Sequence, residues 1–128
     1  MTQLKDLMNT SVVTVAPETT VSQAAAGMVR ARVGSVVVMQ GPFLAGILTE
    51  RDVLRAAGSG EDLTASLVTA WMSADPQAAS LDTTAEEAAQ IMLLNGFRHL
   101  PVLDGRAVVG VVSIRDLFAA KIRRPAVG

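Results

Sequence analysis

The chain has 128 residues, of which half are apolar and 18% are charged, and its formal net charge is −1. This composition predicts a compact folded domain rather than a disordered chain, and the near-zero charge gives no electrostatic reason to expect a nucleic-acid partner. The absence of cysteine and tyrosine, with His99 as the only histidine, excludes thiolate chemistry and most acid–base arrangements, so it favours binding over catalysis.

At the start of the chain, residues 1–10 lack the apolar segment of a signal peptide. No apolar run along the sequence approaches the roughly 18 residues that a membrane span needs. We therefore expect a cytoplasmic protein with no membrane partner.

The first half of the chain shows the periodicity of alternating strands and helices. In order, it predicts a strand at residues 11–15, a helix that begins after Ser22, strands at 35–39 and 44–48 joined by a turn at 40–42, and a helix that begins after Thr49.

The second half gives the same βαββα order. It predicts a strand near residues 77–81, a helix near 85–94, strands at 100–103 and 108–112, and a helix from Ser113. A short basic stretch at 121–125 follows, and we expect it to complement the dipole of that last helix.

The two halves are copies of one unit. A shift of 64 residues aligns positions 4–57 with 68–121 without a gap, and twelve of the 54 pairs are identical, where chance would give about four. We divide the chain into repeat 1, residues 1–60, and repeat 2, residues 61–128, with a flexible linker starting at 58–60.

The repeat predicts the architecture. A unit of about 50 residues with an open three-stranded sheet cannot bury both faces of that sheet alone, so two copies are expected to pack together. The predicted fold is α/β (α+β): two tandem βαββα repeats packed sheet to sheet with pseudo-two-fold symmetry.

Each repeat carries a hydroxyl residue and an aspartate at the start of its last helix, Thr49 with Asp52 and Ser113 with Asp116. Amides at a helix start can hold a phosphate, and a carboxylate can accept the two hydroxyls of a ribose. The same pattern also describes a capping box, in which the aspartate only satisfies the backbone. Its occurrence at equivalent positions of both repeats favours a ligand site.

The duplicated motifs resemble a CBS domain pair, also called a Bateman module. They are DLM at 6–8, TTV at 19–21 and GILTERD at 46–52, then DTT at 82–84, GFRHLPV at 96–102 and GVVSIRD at 110–116. The sequence departs from the pattern at Val37, where repeat 2 has Pro101, and at Ala70, where repeat 1 has Asp6. The resemblance covers nearly the whole chain and indicates a stand-alone pair without an attached enzyme or channel.

The resemblance implies two ligand pockets, each built from both repeats. The first would combine Ile47, Thr49 and Asp52 with Pro76, Gln77, Arg98 and His99. The second would combine Val111, Ser113 and Asp116 with Ser11, Val12, Val13, Gly34 and Ser35. An adenine would lie between aliphatic side chains and meet backbone groups of the first strand.

The two pockets are expected to differ in charge. Arg98 and His99 would lie where Gly34 and Ser35 lie in the second pocket, and a guanidinium suits a phosphate. The first pocket is therefore predicted to take the phosphorylated ligand, and the second to be empty or to take an uncharged nucleoside. The alternative for Arg98 is a solvated surface residue, and for His99 polar packing beside Pro101 is favoured over catalysis or metal binding.

These observations predict a regulatory module that senses an adenine nucleotide of the AMP, ADP or ATP class and signals through a change in conformation or dimer packing. No catalytic residue, metal site or cofactor is expected, and the nucleotide would be a regulatory ligand. A homodimer through the Met- and Ala-containing helices and an unidentified protein target are the expected partners. The alternative is a ligand-independent dimerisation or protein-interaction module.

Overall fold

A computed structural model describes residues 2–123, which form a mixed α/β fold with two sheets, as the sequence predicts. The strands are β1 Thr14–Val15, β2 Ser35–Gln40, β3 Phe43–Thr49, β4 Ser73–Ala74, β5 Ala79–Ser80, β6 His99–Asp104 and β7 Ala107–Ser113. The α-helices are α1 Val21–Ala31, α2 Glu50–Gly58, α3 Ala85–Asn95 and α4 Ile114–Arg123. Arg124 and Pro125 of the basic stretch lie outside the described residues.

The chain forms two compact units whose division does not follow the sequence repeats. The central unit consists of residues 11–76. The composite unit combines the described residues before Ser11 with those from Gln77 onward. The boundaries 1–60 and 61–128 mark the duplication in the sequence, whereas packing assigns the first ten residues to the unit built mainly from repeat 2.

The central unit contains a four-stranded sheet in the order β1-β2-β3-β4. β1 runs parallel to β2, whereas β3 is antiparallel to both β2 and β4. The core on this sheet consists of Ala24, Met28, Val36, Val38, Leu48 and Val68, all buried. Burial of the valine, leucine and methionine side chains contributes about 1.5–3 kcal/mol each to the free energy of unfolding.

The composite unit repeats this plan with a three-stranded sheet, β5-β6-β7. Asn9 adds a single antiparallel bridge to Val111 on β7, at the position where Ser73 pairs with Ile47 in the central unit. The core contains Leu4, Ala88, Met92, Leu100, Val102 and Val112, and each lies 64 residues from a core residue of the central unit, Leu4 being the equivalent of Val68.

The two repeats exchange their leading segments. The N–H groups of Val21 and Ser22, which open α1, donate to the carbonyls of Ser66 and Leu63 at 2.8 and 2.9 Å. In the composite unit the N–H of Ala85 donates to the Thr2 carbonyl at 2.9 Å. Because the first N–H groups of a helix have no partner within the helix, these segments stabilise the helix starts. Each repeat therefore completes the unit of the other.

Several predicted boundaries are wrong in detail. Helix α1 begins after Thr20 rather than Ser22, because the Thr20 hydroxyl accepts the N–H of Gln23 and the Gln23 side chain accepts the N–H of Thr20. The predicted strands at 11–15 and 77–81 shorten to two residues each, because only those residues pair with β2 and β6. Strand β4 and the 3-10 helices Leu4–Asp6 and Val68–Ala70 carry no clear periodicity and were not predicted.

Candidate functional site

The turn between β3 and α2 in the central unit forms the first candidate site. Thr49 caps α2, as predicted, and its backbone N–H and hydroxyl donate to Asp52 Oδ2 at 2.8 and 3.1 Å. The N–H of Asp52 donates in return to Thr49 Oγ1 at 3.4 Å. The sequence placed this carboxylate at the helix start, where exposed N–H groups and the helix dipole favour negative charge.

The second oxygen of Asp52 is bound by a residue that sequence reasoning missed. Arg55 Nη1 donates to Asp52 Oδ1 at 3.2 Å, and the guanidinium lies 5.6 Å from the centre of the Trp71 ring. The Asp52 side chain is 11% exposed, whereas the Arg55 side chain is 60% exposed. The spacing of three residues along a helix was the available signal for this ion pair. Trp71 is distant from Arg55 in sequence, and no sequence pattern indicated the contact between them.

The turn between β7 and α4 in the composite unit forms the second candidate site. The N–H of Ser113 donates to Asp116 Oδ2 at 2.8 Å, and the N–H of Asp116 donates to Ser113 Oγ at 3.1 Å. The capping box therefore forms here as well. Asp116 is half-buried, and its Oδ2 is the oxygen that accepts this N–H.

The start of β2 lies beside the turn of the central unit, and the start of β6 lies beside the turn of the composite unit. In the central unit the N–H of Glu50 donates to the Gly34 carbonyl at 2.9 Å, and Ser35 pairs with Thr49. The composite unit repeats this contact between Ile114 and Arg98, also at 2.9 Å, and His99 pairs with Ser113. We use the term edge for each turn together with the first residues of the strand beside it, 34–35 with 49–52 in the central unit and 98–99 with 113–116 in the composite unit. The two edges share these backbone contacts and differ in their side chains.

The predicted site residues fall into these two groups. The central unit holds Ser11, Val12, Val13, Gly34, Ser35, Ile47, Thr49, Asp52 and Pro76. The composite unit holds Gln77, Arg98, His99, Val111, Ser113 and Asp116. The sharing of each pocket between the repeats stays a prediction of the resemblance.

Charge at the two edges differs as the sequence indicates. Arg98 is exposed and brings a guanidinium to the edge of the composite unit, where the central unit has Gly34. His99 is partly buried, and Ser35 at the equivalent position is buried. The edge of the composite unit can therefore offer a cation to an anionic ligand group.

Within residues 2–123, no group of three or more His, Cys, Asp or Glu side chains is arranged to hold a metal ion. None of the helices described is long and apolar enough to cross a bilayer. Both turns present the backbone amides of a helix start, a hydroxyl group and a carboxylate.

Known proteins share this arrangement. The family model of the CBS domain matches the sequence twice, at residues 4–59 and 68–123. The CBS domain-containing protein YhcV of Bacillus subtilis is 33% identical over 129 residues, which cover 100% of this chain and 91% of YhcV.

Solved structures agree with these matches. The CBS-domain containing protein ATU1752 from Agrobacterium tumefaciens superposes with a TM-score of 0.84 at 31% identity, covering 94% of this chain and 99% of that chain. CBSX2 in complex with AMP superposes with a TM-score of 0.78 at 25% identity, covering 97% and 100%.

Proposed function

This chain belongs to the CBS domain family, as two CBS domains in tandem, and on that premise we propose that it is a regulatory module that binds an adenine nucleotide. The observation that carries the proposal is the recurrence of one turn in both units. In each, a hydroxyl residue and an aspartate three residues later lie at the start of an α-helix, beside the first residue of a long strand.

The chemistry of these turns suits a nucleotide. The amides at a helix start favour anionic groups, and a carboxylate accepts the hydroxyls of a ribose. A related structure, CBSX2, is in complex with AMP, which supports an adenosine-containing ligand for this chain. We expect Arg98 to favour a phosphorylated ligand, because a guanidinium matches a phosphate in charge and geometry.

Signalling requires a partner surface, and the helices offer one. Val29 on α1, Leu54 on α2, Leu93 and Leu94 on α3, and Phe118 on α4 are large apolar side chains exposed to solvent. Val29 corresponds to Leu93 and Leu54 to Phe118 in the duplication. Exposed apolar residues that recur on both units favour association, and we propose a homodimer through these helices. Nucleotide binding would act on it only by favouring one packing over another.

The rest of the proposal follows from the residue types. We propose that the module is not an enzyme and needs no cofactor, because the proposed sites use caps and a carboxylate rather than a nucleophile paired with a base. The nucleotide acts as a regulatory ligand, and the protein works in the cytoplasm on a target that remains to be identified.

The test is a calorimetric titration of the purified protein with AMP, ADP and ATP. We expect saturable binding that weakens at least tenfold in the Asp52→Asn, Asp116→Asn double variant, because asparagine keeps a cap acceptor but loses the charge. Asp104→Asn, which changes an exposed carboxylate at the end of β6, is the matched control and should bind as the original protein does. Absence of binding by all three nucleotides would refute the proposal.

The second candidate is a ligand-independent interaction module. The observation in its favour is that the Asp52 and Asp116 carboxylates already accept backbone N–H bonds as caps. Under this reading replacement of either aspartate by alanine lowers the free energy of unfolding by about 1 kcal/mol, the value of a lost cap contact, and has no other effect. Replacement of Leu93 and Phe118 by Ser would then abolish association through the helices. The substitutions of Asp52 and Asp116 would leave that association unchanged.

A further inference from the structure

The two turns are not chemically equal, and the difference lies one helical turn beyond each aspartate. Position 55 is arginine in the central unit, whereas the equivalent position 119 is alanine, which has no side-chain donor. Trp71, over which Arg55 lies, corresponds to Leu7 in the composite unit. The ion pair and the aromatic ring beside it therefore belong to one unit alone.

Because of this difference, the two carboxylates differ in the hydrogen-bond donors that compete with a ligand for Oδ1. Asp52 accepts Thr49 on Oδ2 and Arg55 on Oδ1, so both oxygens are engaged. Asp116 accepts Ser113 on Oδ2, and position 119 cannot supply a donor for Oδ1. A ribose presents two adjacent hydroxyls that both need an acceptor. At Asp52 a ribose hydroxyl competes with Arg55 for Oδ1, whereas at Asp116 position 119 offers no competing donor.

We propose that Arg55 is a specificity-determining residue that closes the Thr49–Asp52 turn to uncharged nucleosides. This inference rests on the proposed function. A nucleoside that displaces Arg55 leaves the guanidinium without its anion, whereas a nucleotide brings a phosphate that can take the place of the carboxylate as its partner. The Ser113–Asp116 turn, without such an arginine, accepts the ribose of either ligand.

The size of the effect follows from the contacts. An exposed ion pair and an exposed cation–π contact are each weak, and together they correspond to about a tenfold change in affinity. The partial burial of Asp52 adds to the advantage of keeping its charge paired.

The experiment compares adenosine with AMP by calorimetric titration of the full chain. In the original protein we expect adenosine to occupy one site per chain, which Asp116→Asn removes and Asp52→Asn retains. Arg55→Ala should create a second adenosine site, about tenfold tighter than any residual binding there before, and adding Asp52→Asn should remove it again.

The reciprocal variant uses the duplication itself. Ala119→Arg places an arginine three residues after Asp116, as Arg55 follows Asp52, and should weaken adenosine binding about tenfold while AMP still binds. Arg30→Ala, which removes an exposed cation from α1, is the charge control and should leave both ligands unaffected. A circular dichroism melt of every variant verifies that it is folded.

The outcomes separate this inference from the function on which it rests. An adenosine site that depends on Asp52 in the original protein, or an Arg55→Ala variant that gains no adenosine site, overturns the role of Arg55 and leaves nucleotide binding standing. AMP binding without adenosine binding in any variant does the same. If neither ligand binds any variant, the proposed function itself fails.

Discussion

Helix α1 ends at Ala31, and the residue that caps it, Arg32, lies in the left-handed backbone region with φ 57° and ψ 44°. The N–H of Arg32 donates to the carbonyls of Met28 and Val29, which closes the last turn. The equivalent residue after α3 is Gly96, with φ 73°. A side chain in this conformation places its Cβ near a carbonyl oxygen, which glycine avoids.

Arg32→Gly is therefore expected to raise the free energy of unfolding. Relief of the left-handed strain is worth about 1 kcal/mol, and the greater freedom of glycine in the unfolded chain offsets part of it. Urea denaturation measures the change, with Gly96→Ala as the opposite substitution, which should destabilise the protein by about 1 kcal/mol. A loss of stability in Arg32→Gly would show that the exposed arginine makes contacts worth more than the strain.

Asp62, in the segment after α2, shows how a short local network affects titration. The Thr64 hydroxyl donates to Asp62 Oδ1 at 2.6 Å and the Thr64 N–H at 3.0 Å, and these bonds lower the pKa of the carboxyl from its ordinary value. Because the pKa is lower in the folded protein than in the unfolded chain, the bonds stabilise the fold above the unfolded pKa. Their contribution is lost as the pH falls through the folded pKa.

Thr64→Val should raise the Asp62 pKa, because it removes the hydroxyl bond, which is the larger cause of the shift, and keeps the backbone bond. Nuclear magnetic resonance titration of the Asp62 carboxyl measures the change directly. Thr64→Ser retains the hydroxyl and serves as the control. An unchanged pKa in Thr64→Val would assign the shift to the backbone alone.

At the scale of elements, β3 and β7 each contain one glycine that a methionine covers. A Cβ on Gly46 would overlap the Met72 side chain and lie 2.8 Å from the Ser73 carbonyl oxygen. The three atoms nearest to a Cβ on Gly110 all belong to the Met8 side chain, with Met8 Cγ at 2.8 Å. A methionine side chain can move aside, but the backbone of a paired strand cannot do so without loss of its hydrogen bonds.

The two glycines should therefore respond unequally to one substitution. Gly46→Ala is expected to lower the free energy of unfolding by about 2–3 kcal/mol, and Gly110→Ala by about 1 kcal/mol, since the former places a Cβ 2.8 Å from the backbone of β4. Chemical denaturation of both variants gives the comparison. Equal losses would mean that the methionine contacts, rather than the Ser73 carbonyl, dominate at both sites.

The elements with a strong apolar periodicity were predicted from the sequence. The elements that form only by pairing with another segment were not. The long strands β2, β3, β6 and β7 and helices α2 and α3 follow from apolar patterns and caps, and their positions are confirmed within one or two residues. Strand β4 has two exposed residues and exists only because β3 pairs with it. No local pattern encodes such a contact.

The candidate site likewise contains some features that the sequence predicts and others that it does not. Both S/T-x-x-D turns were predicted as helix starts, and both capping boxes are confirmed. The Arg55–Asp52 pair was within reach of a spacing argument, since three residues on a helix bring side chains together. The position of Trp71 beside Arg55 was not, because it depends on the segment that repeat 2 contributes to the central unit.

At the scale of the whole molecule, the exchange of leading segments explains why a duplication that divides near residue 60 folds into units that divide elsewhere. The segment 61–74 supplies Val68 to the core of the central unit and the last strand to its sheet. Leu4 and Met8 supply the equivalent contacts to the composite unit. Each unit buries its glycine-bearing strand only when both repeats contribute.

This arrangement predicts that a fragment cut at the repeat boundary is less stable than one cut at the packing boundary. Residues 11–76 contain every element of the central unit, whereas residues 1–60 lack Val68 and the strand that covers Gly46. Loss of a buried side chain of this size costs about 1.5–3 kcal/mol, which is a large part of what a domain of roughly 60 residues can spare.

We expect the 11–76 fragment to unfold cooperatively on heating and the 1–60 fragment to show no cooperative transition, as measured by circular dichroism at equal concentration. The matched control is Val68→Ser in the 11–76 fragment, which keeps the chain length but removes the buried contact and should abolish or sharply lower the midpoint. Cooperative unfolding of the 1–60 fragment with a midpoint as high as that of 11–76 would mean that each repeat is a folding unit by itself. The exchanged segments would then contribute no net stability to the central unit.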